Sequence, residues 1–497
     1  MGNHYQKLEQ LNKRMYHFSH LGSIVGWDEA VNMPEESGDA RAEALSELYV
    51  FMSQERKKPE VMELVEKARG EDLNEDQKIN LDLIEKDWKM ANVLDDEFVR
   101  KQSLTNMKTN QAWRKLRAEN NWEGFRPHLE EVVKLVQEES QRRSEATGLN
   151  PYDALLDLYE PGLRSEEVER LFSELKENLP GLKDKILEKQ KSLGFKKPQG
   201  PFPTEKQREL GLELMTSLGF NFKKGRLDIS HHPFCGGVPE DVRLTTRYSE
   251  DDFTESLMGI IHETGHARYE QSLPSEWLGQ PLGTSKGMAI HEGQSLFFEM
   301  QVGRSNEFIK FALPKMKEYL GNQNNSEAWS LENMTRLYQN VEPGFIRVDA
   351  DEVTYPFHVM LRYEIEKQLI SGELAVKDLP ELWDTKMQEY LGLSTKGNYK
   401  DGVMQDVHWP SGSLGYFPTY TLGAMVAAQV FQELEKQVPS VRTEIEQGNF
   451  TKINEWLASN IWSQGSRYEL SELMPKVTGQ KLSTAPFLNH LKGRYLD

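Results

Sequence analysis

Ile261-His262-Glu263-Thr264-Gly265-His266-Ala267 sets two histidines four residues apart inside a segment that reads as helix. At about 3.6 residues per turn the two imidazoles stand one above the other on one face and can reach a single metal ion. Glu263 is turned about 100° from them, which suits a carboxylate that holds a water beside the metal without binding the metal itself. This is the HExxH pattern of zinc-dependent peptide hydrolases. The competing explanation is a chance pair of surface histidines. Gly265 favours that explanation mildly, because glycine weakens a helix by roughly 1 kcal/mol relative to alanine. A close approach of substrate or of another helix would give the glycine a reason to be there.

Upstream of this helix the pattern changes near residue 225. Arg226 to Ser230 and Val242 to Tyr248 alternate polar with apolar residues and favour β-branched ones, which predicts two short half-buried strands. Between them, His231-His232-Pro233-Phe234-Cys235-Gly236-Gly237 reads as a turn that can present His232 to a cleft; a structural loop histidine is the plainer reading. Ser249-Glu250-Asp251-Asp252 predicts a capping box at the start of the HExxH helix. Downstream, Pro274, Gly279, Pro281, Gly283 and Gly287 mark an irregular connection, and a second helix is predicted from Met288 to Val302. A catalytic zinc takes three protein ligands and keeps one open position, so a carboxylate from this neighbouring helix is the expected third ligand. Glu292 is the first choice, with His291 and Glu299 as competitors; His291 and Glu292 point about 100° apart, which argues against both binding one ion.

The flanks are helical in period. Leu81, Ile84, Trp88 and Ala91 recur at steps of three and four, as do Leu129, Val132, Val133 and Val136, and both series predict buried stripes. Ser165 is a plausible N-cap for a helix that Pro180-Gly181 interrupts, and Trp27 to Gly38 and Tyr152 to Gly162 read as ordered loops. Nearer the C-terminus, Arg347 follows the Pro343-Gly344 turn, and Gly402 to Tyr420 is dense in Gly, Pro, aromatic, His and Gln, more like a binding wall than a connector. No repeat or flexible linker divides the 497 residues, so a single domain over 1–497 is expected.

A net charge of −19 disfavours nucleic acid and anionic membranes as partners. The single cysteine, Cys235, excludes an internal disulfide, and no apolar run approaches the roughly 18 residues of a membrane span. With no signal-peptide core after Met1, a cytoplasmic location is expected.

Six motifs in order resemble the carboxypeptidase Taq family of metallocarboxypeptidases. They are His232-Pro233-Phe234, Asp241 to Thr245 as DxRxT, the HExxH, His291-Glu292-Gly293-Gln294, Ile346 to Asp351 as IRxxAD, and Gly402 to Trp409 as GxxQDxHW. Tyr152 to Asp157 and Glu160-Pro161-Gly162 also match the family. The resemblance implies a mainly α, two-lobed, neurolysin-like body with a deep groove and a small sheet beside the active site. It implies a homodimer that binds zinc, with cobalt possible, and releases single residues from peptides with a free C-terminus. It further implies Glu292 as third ligand, with Arg243, Arg347, Gln405 and His408 lining the closed end of the groove. Glu263 is then the general base, and His408 with Tyr420 (or Tyr416) the oxyanion donors. Arg347 is expected to bind the substrate carboxylate, the alternative being an ion pair with Asp349 or Asp351. The rival functions are a helical zinc oligopeptidase that cuts internal bonds and a non-catalytic helical binding protein.

Overall fold

Periodic burial decides which stretches become helix. A computed structural model describes residues 3–230, 233–321 and 327–497. Glu75–Ala91 opens on a capping box, Asn74 with Gln77, and buries Leu81 and Ile84; Trp122–Thr147 buries Leu129, Val132, Val133 and Val136. The fold is mainly α, with one three-stranded sheet among the described residues.

Several local expectations are corrected. Trp27 lies inside the helix His4–Val31, and Pro151–Tyr159 is helix where the sequence predicts a loop, since Asn150 caps it and Tyr152, Ala154, Leu155 and Leu156 are buried. Pro180 does not interrupt Ser165–Gln190, because buried Leu175, Leu179 and Leu182 hold the helix through it. Ser165 is the first helical residue rather than its cap, and its N–H donates to Asp153 Oδ1 at 2.6 Å.

The sheet consists of β1 (Gly225–Ile229), β2 (Cys235–Val238) and β3 (Asp241–Thr246) in the order β1-β3-β2. β1 runs parallel to β3 with Leu227 opposite Leu244, and β2 runs antiparallel to β3 with Gly236 opposite Arg243. β2 lies where the sequence predicts a turn, because Cys-Gly-Gly-Val carries almost no strand propensity. Gly237 takes φ +120°, and a Cβ there would lie 2.1 Å from the Asp241 carbonyl oxygen, so only glycine closes this hairpin. Leu227, Val242 and Leu244 pack with Ile260 and Ala267 of the HExxH helix, which fixes the sheet against that helix.

The HExxH helix is Thr254–Gln271, five residues later than the predicted start. Asp252 accepts from the Thr254 N–H at 2.8 Å, whereas the Ser249 hydroxyl is spent on the Asp251 N–H, so no capping box forms. The next helix, Met288–Leu296, continues as a π-helical stretch, Phe297–Gly303. A Cβ on Gly265 would lie 2.6 Å from the Gln294 carbonyl oxygen, so the glycine inside the HExxH helix exists to let the second helix approach. Helix Pro418–Gln437 closes on the same helix from another side, where a Cβ on Gly423 would strike Glu292 Cβ at 2.8 Å.

Glu160, fully buried in the Glu-Pro-Gly turn, accepts from the Ala289 N–H at 2.7 Å and so caps the Glu292 helix from far away in sequence. Burial pushes its carboxyl up to about 8, against the pull of the Ala289 and Ile290 amides and Lys286. The unfolded chain ionises near the ordinary glutamate value while the folded chain still holds the proton, so folding binds a proton and stability falls as pH rises toward 8. Glu160→Gln should therefore gain on the wild type in unfolding free energy, read from denaturant titrations, between pH 5 and 8, by a few kcal/mol at most. An unchanged difference across that range would contradict the assignment.

Candidate active site

His262, His266 and Glu292 each offer one donor atom, and the three atoms lie within 4.8 Å of one another. Glu292 Oε2 is 3.4 Å from His266 Nε2 and 3.9 Å from His262 Nε2. The other ring nitrogens are occupied. His262 Nδ1 donates to Glu299 Oε2 at 2.9 Å, and Glu299 is held in turn by Arg304 at 2.8 Å. His266 Nδ1 lies 2.6 Å from His291 Nδ1, and His291 Nε2 lies 2.8 Å from Glu270 Oε1.

These contacts set the tautomers. A carboxylate only accepts, so His262 carries its proton on Nδ1. A neutral His291 that donates from Nε2 to Glu270 accepts at Nδ1, so His266 also carries its proton on Nδ1. In the neutral form a metal requires, both histidines thus turn an Nε2 lone pair toward Glu292. Burial lowers the His262 imidazole but the Glu292 and Glu299 carboxylates raise it further, to about 10, so a metal must displace its proton. Two imidazole nitrogens and one carboxylate oxygen, backed by carboxylates and a histidine, fit a catalytic zinc. The competing ligands of the sequence reading are thereby placed: His291 backs His266, and Glu299 backs His262 from the π-helical stretch, a geometry frequent at functional sites. His291→Ala should weaken zinc affinity by about 10- to 100-fold, measured by competition with a chelator, with the fold retained.

Glu263 is buried beside this cluster. Burial pushes its carboxyl up to about 7, with His262 pulling down and Glu292 pushing further up. A carboxylate with a proton affinity near neutrality can both take and return a proton.

His408 and Tyr420 come together, with His408 Nε2 3.1 Å from the Tyr420 hydroxyl. The Tyr416 ring lies 5.2 Å from that of Tyr420, and the Glu292 charge bears on both phenols. Burial, then Arg347, drives the His408 imidazole down to about 3, so it is neutral at pH 7.

Arg347 is buried on the short 3₁₀ turn Arg347–Asp349. Its Nε and Nη2 donate to Asp406 Oδ1 at 3.0 and 2.9 Å, and its Nη1 donates to the Tyr355 hydroxyl at 2.5 Å. The guanidinium also lies 4.8 Å over the Tyr420 ring. Asp406 Oδ2 simultaneously accepts from Arg362 Nε at 2.7 Å. Two buried guanidiniums therefore share one carboxylate, and the cluster carries a net positive charge. The nearby acids take no part: Asp351 organises its own turn through Val353 and Thr354, and Asp349 is exposed. Gln405 spends Oε1 on the Arg347 N–H at 2.8 Å and Nε2 on the Phe345 and Asp401 carbonyls at 2.9 and 2.7 Å, which makes it the clamp that holds Arg347's turn. Arg243 forms a two-point contact with Asp241 at 2.9 and 2.7 Å and lies 4.7 Å over Trp27. His232 lies outside the described residues.

Sequence reasoning missed Asp406, Arg362, Tyr355 and Glu366. The last is fully buried and accepts from Trp409 Nε1, the Gly415 N–H and the Tyr152 hydroxyl at 2.9, 3.0 and 3.0 Å, pinning the 402–417 loop. Asp406 carried a signal, since it sits inside the GxxQDxHW stretch; the others carried none.

The sequence profile of the carboxypeptidase Taq (M32) metallopeptidases matches residues 7–495. The chain belongs to the carboxypeptidase Taq family. It is 38% identical to thermostable carboxypeptidase 1 of Thermus thermophilus over 99% of this chain and 98% of that protein. Carboxypeptidase 1 of Bacillus subtilis is 35% identical over 98% of this chain and 96% of its own. The solved structure of Trypanosoma cruzi metallocarboxypeptidase 1 is similar, with a TM-score of 0.96, 42% identity and 99% of both chains covered. The family match thus covers residues 7–495, N-terminal helices included.

Proposed function

We propose that this carboxypeptidase Taq family member is a zinc carboxypeptidase that removes single residues from peptides with a free C-terminus. His262, His266 and Glu292 would hold the metal, and cobalt suits the same donors. Bound there, zinc supplies Lewis acidity toward the scissile carbonyl and toward a water. Glu263 takes the water's proton and delivers it to the leaving amine. With its proton on Nε2, His408 donates to the Tyr420 hydroxyl, which frees the Tyr420 O–H to donate to the oxyanion. Arg347 uses three of its five N–H groups on Asp406 and Tyr355, so two are left for the substrate carboxylate.

The observation that carries this reading is the place of Tyr420. Its hydroxyl touches His408, its ring lies beneath Arg347, and the charge of Glu292 reaches it, so one residue links the ligand cluster to the buried Arg347-Asp406-Arg362 group with its excess positive charge. Such an excess suits a substrate's terminal carboxylate, which an internal bond does not bring. The test is release of a free amino acid from an N-blocked dipeptide against its C-terminal amide. Turnover of both at equal rates would favour the oligopeptidase; no turnover together with no stoichiometric zinc would favour a binding protein. We propose further that the active form is a homodimer in the cytoplasm; a mass of 57.4 kDa by light scattering at micromolar concentration would count against the dimer.

A further inference from the structure

Tyr355 has so far only accepted a hydrogen bond. It opens the helix Tyr355–Ser371 and is half-buried, whereas Arg347 and Arg362 beside it are buried. The chain returns to Arg347 here because Asp351 closes the intervening turn. Its carboxylate accepts from the Val353 and Thr354 N–H groups at 2.9 Å each, and its backbone carbonyl accepts from the Tyr355 N–H at 2.9 Å. The turn thereby sets the phenol against the guanidinium eight residues back, with Arg347 Nη1 donating to the Tyr355 hydroxyl at 2.5 Å.

Counting donors singles out this hydroxyl. A phenol has a proton to give as well as lone pairs that receive. The Tyr355 oxygen receives from Arg347, and among the described residues its own O–H has no acceptor. The neighbouring groups are spent. Both ends of the Gln405 amide are in use, and Asp406 is shared by two guanidiniums. Arg362 is fully buried and gives its Nη1 to the His358 carbonyl oxygen at 2.7 Å. What remains for a carboxylate is the pair of unused N–H groups on Arg347 and the O–H of Tyr355.

The place of the ring agrees with this count. Tyr355 touches Arg347 on one side and meets the Tyr420 ring edge to face at 6.0 Å on the other, and the Glu292 charge acts on both phenols. A carboxylate offers about four lone-pair sites, and two N–H groups fill only half of them. Sites left empty in a buried pocket cost free energy, so a third donor at hand tightens binding.

We infer that Tyr355 is a second reader of the substrate's terminal carboxylate: Arg347 holds its oxygen, and its O–H donates to a carboxylate oxygen. The inference rests on the carboxypeptidase reading above. The test compares kcat/KM for an N-blocked dipeptide and for its C-terminal amide, in the zinc-loaded wild type and two altered proteins. Tyr355→Phe removes the hydroxyl and keeps the ring, so the free-acid value should fall about tenfold. A neutral amide accepts the same hydrogen bond more weakly, so the acid-to-amide ratio should fall by about threefold or more. Placing 3-fluorotyrosine at position 355 makes the hydroxyl a better donor and a poorer acceptor, and the ratio should hold or rise. A hydroxyl that serves only to receive from Arg347 predicts the opposite, a lower ratio in both. Should Tyr355→Phe fail to fold, the fluorotyrosine protein decides alone. An unchanged ratio in Tyr355→Phe, or a lowered one with 3-fluorotyrosine, would overturn the inference, while a wild type that prefers the free acid keeps the carboxypeptidase reading. Equal turnover of acid and amide by the wild type would instead end that reading, and this inference with it.

Discussion

Glutamine in place of Glu263 is expected to lower kcat by about 100- to 10,000-fold, the range of a lost general base, while zinc stays bound at one ion per chain. The two effects separate because Glu263 stands beside the three proposed ligands, His262, His266 and Glu292, and is not one of them. Glutamine keeps the volume of the buried side chain but cannot accept a proton at neutral pH, so the fold and the donor set of His262, His266 and Glu292 are undisturbed. Glu292→Ala removes a donor instead, and should lose metal and activity together. Metal analysis after dialysis, read beside turnover of an N-blocked dipeptide, distinguishes the two variants. Near-native turnover by Glu263→Gln would remove Glu263 from the mechanism, and stoichiometric zinc with full activity in Glu292→Ala would remove Glu292 from the site.

The His262-His266 pair was legible in the sequence because helical spacing is local geometry: residues four apart share a face whatever surrounds them, whereas Glu292 was one of three candidates on the next helix until the family resemblance favoured it. Gly265 was legible for a related reason, since a helix-weakening residue called for a close neighbour, and the backbone of the Glu292 helix is that neighbour. Hydrogen bonds between distant segments were not legible. Glu160 caps a helix 129 residues further along the chain, and nothing local to its turn points there. Sequence proximity favours Asp349 or Asp351 as the partner of Arg347, whereas packing brings up Asp406, 59 residues on. β2 and the π-helical stretch escaped notice because tertiary contacts, rather than propensity, hold them in shape.

Arg347→Lys and Arg347→Ala are expected to lower kcat/KM on free-acid peptides at least tenfold, since loss of a charge-assisted contact to a desolvated carboxylate costs on the order of 2–5 kcal/mol. Arg347 already grips Asp406, which makes a purely structural role the alternative to be excluded. Charge counting favours the binding role: Arg347 and Arg362 are both buried, one carboxylate cannot neutralise two guanidiniums, and a substrate carboxylate supplies the missing charge. Lysine retains the charge but not the planar fork, so it should keep the ion pair with Asp406 while losing the two-point contact to substrate. The measurement that decides compares free-acid with amidated peptides in the wild type and both variants. A structural role lowers both substrates alike and leaves their ratio where it was. A carboxylate-reading role collapses the ratio, because only the free acid loses a partner when Arg347 is gone.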